Sequence, residues 1–304
     1  MTDVSPLPDA PRFTRDLLLR GGLADMIARC TPHIRVLTDA ERRASLHAAL
    51  AERPEHGDGV WLFAYGSLIW NPTIRTGDRR VARVHGWHRA FCLATNAGRG
   101  TPDNPGLLLG LWQGGDCMGA ALRVAEDGLE HELDVLWRCE MVTAGYVPRW
   151  LALADAEGTA FGHGLGFTID PAGPGYESAL AEAEMVHRLA TARGELGSSA
   201  EYLFRTWDGL RGMGITDPHL ERITTLVRDW PTAPGGYAHK EGACAVRVDC
   251  TRKSPAVRSR RARSSAGEHH LDTVGVTGSI PVAPTMISTS YVASTFGAKA
   301  PATM

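Results

Sequence analysis

The run Val60-Trp61-Leu62-Phe63-Ala64-Tyr65-Gly66-Ser67-Leu68 ends an apolar strand in a polar turn. The break at Tyr65-Gly66-Ser67 comes before any helical period is established, so backbone N–H groups there lose their ladder partners. Successive amides pointing one way form a concavity that attracts a carboxylate or phosphate, and the Ser67 hydroxyl adds a further donor. Gly66 suits such a clamp, since a Cβ would obstruct close approach to the backbone. An ordinary hairpin turn in a core strand explains the same residues without a ligand. The turn alone leaves both readings open.

Other reactive side chains lack partners at useful spacing. Cys139 has no His placed to activate it as a nucleophile, and burial is the commoner fate of a lone thiol. His131-Glu132 with His163, and His269-His270, lack the His-Glu-x-x-His spacing of a zinc site. Gly98-Arg99-Gly100 and Gly162-His163-Gly164-Leu165-Gly166 are followed by neither Lys-Ser/Thr nor a helix start, so neither is a phosphate loop. No metal or nucleotide cofactor is expected.

Several segments together carry a resemblance. Tyr65-Gly66-Ser67-Leu68-Ile69-Trp70 after a short apolar strand resembles the signature of the γ-glutamylcyclotransferases, in particular their ChaC-type, glutathione-directed branch. Leu136-Trp137-Arg138-Cys139-Glu140, running on to Gly145-Tyr146, resembles the second signature of that family. Gly86-Trp87-His88-Arg89-Ala90-Phe91, Arg99-Gly100-Thr101-Pro102-Asp103-Asn104-Pro105-Gly106 and Glu201-Tyr202-Leu203 resemble its remaining elements, in the family's order. Five residues, Met141 to Gly145, separate Glu140 from Tyr146; this departs from the shortest family pattern and suits its bacterial members.

The resemblance implies a lyase reaction in which the free α-amine of a γ-glutamyl group attacks its own side-chain amide carbonyl. Glutathione would give 5-oxoproline and cysteinyl-glycine, with no metal, nucleotide or water as nucleophile. An amine with a pKa of roughly 8 must first lose a proton, and one carboxylate can take it and return it to the departing nitrogen. By position Glu140 is that catalytic residue, at a helix end able to aim a side chain into a cleft. Partial burial beside Trp137 or Tyr146 would raise its pKa usefully. Tyr65, Gly66, Ser67 and Leu68 become the clamp on the substrate α-carboxylate. Arg99, Tyr146 and Tyr202 join the candidate substrate-binding residues, Arg99 reaching for the glycine carboxylate. For Arg99 an exposed loop position, and for the tyrosines plain core packing, are the competing readings.

The chain has 304 residues, 43% hydrophobic and 22% charged, within the range of globular proteins. The net charge of −2 hides an asymmetry: residues 1–234 carry −7 and the remainder +5. An acidic body argues against nucleic acid as partner. No apolar stretch is long enough to cross a membrane. Six cysteines without Cys-x-x-Cys spacing, and no secretion signal, point to the cytoplasm. A monomer is expected.

Three segments follow from composition and period. Residues 1–57 form a helical extension, with a Pro- and Asp-rich start, an apolar period from Thr14 to Arg29 interrupted at Gly21-Gly22, and a capping box at Thr38 and Glu41. Residues 58–230 hold strands at Val60–Tyr65, Val81–Trp87, Arg89–Thr95, Leu107–Gln113, Cys117–Val124, Trp150–Ala154 and Ala160–Ile169, with Gly-rich turns between the early ones. Helices are expected at Leu129–Arg138, Glu177–Thr191, Tyr202–Leu210 after a capping box at Ser198 and Glu201, and Pro218–Trp230. Strands early and helices late give an α+β domain. The resemblance makes it a mixed, partly barrel-like sheet flanked by helices. Residues 231–304 read as a linker and disordered basic tail with no amphipathic period.

Two rivals share these motifs: a cyclotransferase for other γ-glutamyl amines or peptides, and a non-catalytic binding or regulatory protein on the same scaffold. The latter bears on an older label, regulator of cation transport. A carboxylate at Glu140 favours the enzyme, because a binding-only descendant has no need of it.

Overall fold

The computed structural model describes residues 13–54, 59–178 and 180–231. The tail expected from residue 231 onward and the Pro-rich start lie almost wholly outside them. Five strands close into a barrel: β1 (Gly59–Ala64), β2 (Arg79–Thr95), β3 (Gly106–Ala125), β4 (Tyr146–Ala154) and β5 (Ala160–Ile169), in the order β1-β3-β2-β4-β5. β1 pairs antiparallel with β3 and parallel with β5, through Leu62 opposite Leu165, so no edge is left between first and last strands. Phe63, Phe167, Leu107 and Leu111 are fully buried in the core.

The four short strands expected between residues 81 and 124 are two long ones. Gly86 runs on within β2 and is not a turn; pairing shifts between His85 and Trp87 because β3 carries an extra residue there, a bulge. The Gly86 φ of +78° is left-handed backbone that glycine adopts without strain. Gly114 and Gly115 lie opposite it in β3. A bulge bends strands around a barrel while keeping their ladder, so Gly clusters that look like turns become corners.

Helices α1 (Arg15–Leu19) and α2 (Gly22–Cys30) are split where Gly21 takes φ +76°. In α3 (Asp39–Ala51) the Thr38 hydroxyl accepts from the Glu41 N–H at 3.2 Å and Glu41 accepts from the Thr38 N–H at 2.8 Å, the full capping box. α4 (Leu129–Glu140) buries Leu133, Leu136 and Trp137, whose ring packs edge-on to Phe167 at 5.2 Å. α5 starts at Glu182 and runs to Thr191, five residues later than its expected beginning. A two-stranded ribbon, β6 (Arg193–Gly194) and β7 (Gly197–Ser198), leads into α6 (Ser199–Arg211), and α7 (Pro218–Arg228) follows. Among the described residues no helix is long and apolar enough to cross a membrane.

Candidate active site

The turn after β1 is a short 3₁₀ segment, Ser67–Ile69. The N–H groups of Ile69, Trp70 and Asn71 donate back to Gly66 and Ser67 carbonyls at 2.8–3.1 Å. Those of Ser67 and Leu68 precede the first internal bond and have no acceptor among the described residues. Tyr65, Gly66, Ser67 and Leu68 line one side of a narrow cleft, with Glu140, Tyr146 and Tyr202 also on its wall. A larger cavity of about 200 Å³ adjoins it and shares Ser67, Glu140, Tyr146 and Tyr202. Arg99 opens onto that cavity. All eight candidate residues therefore line one two-part depression, with Glu140 at the junction.

Glu140 is the last residue of α4, whose closing bond runs from Met141 N–H to Trp137 carbonyl at 2.9 Å. The Val142 carbonyl accepts from Leu37 N–H at 3.0 Å and holds the segment beyond. Burial pushes the Glu140 carboxyl up to about 7, opposed by the Cys139 thiol 3.4 Å from Oε1. The carbonyl end of α4 also disfavours a carboxylate there. Trp137 is sealed in the core with its indole N–H 3.2 Å from Ser45 Oγ, so of the two expected neighbours it is Tyr146 that shares the depression with Glu140. Burial, aided by the Glu140 charge, raises the Cys139 thiol well above its usual range, which removes it as a nucleophile.

Each tyrosine has a different free valence. Tyr65 donates its hydroxyl proton to the Phe167 carbonyl at 2.7 Å, so what it offers the cleft is ring and backbone. Tyr146 donates to the Leu109 carbonyl at 3.1 Å, and its oxygen can still accept. Tyr202 accepts from the Leu109 N–H at 3.3 Å, which leaves its own proton available. Burial raises all three phenols, and the Glu140 charge adds to each, so they stay protonated.

Arg99 is not the exposed loop residue of the competing reading. Its side chain is 11% exposed, with Nη1 3.0 Å from the Ser198 carbonyl and 3.3 Å from Glu201. Glu201 turns to Arg99 and Arg205 rather than back to the Ser198 N–H, so Ser198 caps α6 one-sidedly at 3.1 Å from the Glu201 N–H. One carboxylate between two guanidiniums leaves a net positive charge beside the cavity. Arg138 pairs with Asp134 at 2.9 Å, one turn earlier on α4.

Two contributors were not singled out in the sequence. Asn96 lines the cavity, and its Oδ1 is buried without a hydrogen-bond partner. Arg89 sits buried on β2, donating from Nε to the Tyr65 carbonyl at 2.7 Å, from Nη2 to the Met118 carbonyl at 2.7 Å, and from Nη1 to Asp217. It fixes the chain just ahead of the Ser67 and Leu68 amides. The available signal was its place in the Gly86–Phe91 segment. Among the described residues no His, Cys, Asp and Glu cluster has the makings of a metal site.

A closed five-stranded barrel with this depression at one end has the fold of the γ-glutamyl cyclotransferases. The crystal structure of the yeast glutathione-specific enzyme superposes with a TM-score of 0.54 at 19% identity, covering 58% of this chain and 98% of that one. A family model described as ChaC-like protein matches residues 60–230. The glutathione-specific gamma-glutamylcyclotransferase of Escherichia coli K12 is 39% identical over 217 residues, 71% of this chain and 92% of that protein. Glutathione-specific gamma-glutamylcyclotransferase 1 of Mus musculus is 31% identical over 193 residues, 59% of this chain and 85% of its own length. The chain belongs to the ChaC-like family.

Proposed function

We propose that the protein is a γ-glutamylcyclotransferase that cleaves glutathione to 5-oxoproline and cysteinyl-glycine. The relatives named for that activity support the substrate. The observation that carries the chemistry is Glu140, with its carboxyl raised to about 7, at the junction of cleft and cavity.

The γ-glutamyl half lies in the narrow cleft, its α-carboxylate on the Ser67 and Leu68 amides and the Ser67 hydroxyl. Glu140 as carboxylate takes a proton from the α-ammonium, and the freed amine attacks the amide carbon. The new C–N bond closes the ring, and negative charge builds on the former carbonyl oxygen, where the free Tyr202 proton is a suitable donor. The tetrahedral species collapses as the old C–N bond breaks and Glu140 returns the proton to the leaving nitrogen; the ring nitrogen gives up its second proton to the departing amine, which leaves as an ammonium while the lactam keeps one N–H. A group near pKa 7 performs both transfers with little penalty. Holding amine and carbonyl together contributes on the order of 7–11 kcal/mol in effective concentration.

The leaving dipeptide occupies the larger cavity. Its terminal carboxylate suits the net positive Arg99–Glu201–Arg205 group, and the orphaned Asn96 Oδ1 accepts from a dipeptide N–H. The test is 5-oxoproline release from the full chain with glutathione and γ-glutamylcysteine in parallel, beside Glu140→Gln. Release by the wild type and none by the variant, with glutathione still bound, is expected; comparable release by the variant would sink the assignment.

A further inference from the structure

The family match begins at residue 60, yet the cavity beside Glu140 has a wall from well before it. Leu23, Ile27 and Thr31 recur at intervals of four, which puts them on one face of α2 and the residue that caps it. All three line the cavity, flanked by Phe13 and Ile34. None of these five belongs to a motif assigned a role above.

That wall is fastened to the barrel domain at several independent points. Arg15 grips Glu132 of α4 with bonds of 2.5 and 2.9 Å. The Asn71 side chain donates to the Phe13 carbonyl at 2.8 Å, just past the clamp turn. Arg29 at the end of α2 pairs with Glu195 at 2.8 Å, in the ribbon between β6 and β7. Leu37 N–H reaches the Val142 carbonyl, two residues after Glu140. A segment tied to both flanks of the catalytic carboxylate has its cavity face held in place.

We propose that α2 is a specificity wall, its Leu23–Ile27 face packing on the side chain of the residue joined to the γ-glutamyl group. The proposal rests on the cyclotransferase reading, since only the leaving half of the substrate reaches this cavity. The chemistry fits a cysteinyl group: a thiol is small and weakly polar, and loses little on leaving water for an aliphatic surface. A charged side chain at the same place would be stranded without a partner. A larger aliphatic one would collide with Ile27.

The experiment uses the full chain and two substrates, glutathione and its leucyl analogue γ-glutamyl-leucyl-glycine, with 5-oxoproline release as readout. Ile27→Ala widens the wall and Ile27→Phe narrows it. Relative to wild type, the ratio of kcat/KM for the leucyl analogue over glutathione should rise on the order of tenfold in Ile27→Ala. It should fall in Ile27→Phe. Loss of folding moves both substrates together and leaves the ratio alone, so opposite shifts of the ratio are the signature of contact. Leu23→Ala provides the same test from the neighbouring turn should Ile27→Ala not fold. Ratios unchanged in all variants of an active enzyme would overturn the wall while leaving the reaction intact. A wild type inactive on both substrates would instead bring down the reaction, and the wall with it.

Discussion

Gly66 and Tyr202 meet so closely that a Cβ on Gly66 would stand 2.8 Å from the Tyr202 hydroxyl. Tyr202 cannot easily yield, being buried and held by the Leu109 N–H. The tyrosine above the turn is therefore reason enough for the glycine, apart from any ligand. Gly66→Ala should cost about 1–3 kcal/mol in denaturant melts, as overpacking does. Tyr202→Phe removes the colliding oxygen, so the double variant should be more stable than the sum of the single changes predicts. Simple additivity would mean the contact does not govern this position.

Glu140 links stability to pH with a definite sign. Its folded pKa of about 7 exceeds its ordinary value of 4.5. Between those values the folded state binds more protons than the unfolded one, so stability falls as pH rises from about 4.5 to 7 and then levels off. At about 1.4 kcal/mol per tenfold change, the loss amounts to roughly 3 kcal/mol at most. Glu140→Gln should flatten this dependence, matching wild type near pH 4 and exceeding it near pH 8. For the wild-type enzyme, kcat/KM should drop about tenfold per pH unit below 7 as the carboxylate is lost. A stability profile with the same slope in both proteins would show that Glu140 is not held in a desolvated site.

Asn96 should show opposite signs in two measurements. Removing a buried acceptor that has no partner relieves a desolvation penalty, so Asn96→Ala should melt no lower than wild type without ligand. Its KM for glutathione should rise about threefold to tenfold, the value of an ordinary hydrogen bond. A lower melting temperature with unchanged KM would mark Asn96 as structural.

Arg99 should separate two substrates by the position of a carboxylate. Arg99→Met should raise KM for glutathione on the order of tenfold or more, as expected for a charge-assisted bond. γ-Glutamylcysteine, whose terminal carboxylate lies one residue nearer the reacting bond, should be affected less. Equal losses would point to Arg99 acting through Glu201 and the start of α6.

What could be read without coordinates was local. The apolar run into Gly66-Ser67 and the junction after Glu140 announced themselves through neighbours in sequence. The bulge at Gly114-Gly115, opposite Gly86, did not, because a glycine that bends a strand and one that ends it look alike in composition. Asn96 stands just ahead of the Arg99–Gly106 segment and outside it; only the cavity wall makes its bare oxygen informative. Leu23 and Ile27 had the period of an amphipathic helix, which says that one face is covered and nothing of what lies against it. Arg89 was visible as part of a motif, but its three acceptors come from three distant segments.

Those three acceptors have a consequence for how the protein is made. Arg89 joins the Tyr65 carbonyl to Asp217, which lies 128 positions after Arg89 and also caps α7 by accepting from the Leu220 N–H at 2.9 Å. A nascent chain, emerging from its N-terminus at about 5–20 residues per second, presents the turn long before the carboxylate that anchors it. Until Asp217 arrives, a buried guanidinium lacks its counter-ion and the amides it steadies are left slack. The turn is thereby left without its full anchorage until the chain has passed Asp217, and a product that stops short of it lacks the counter-ion.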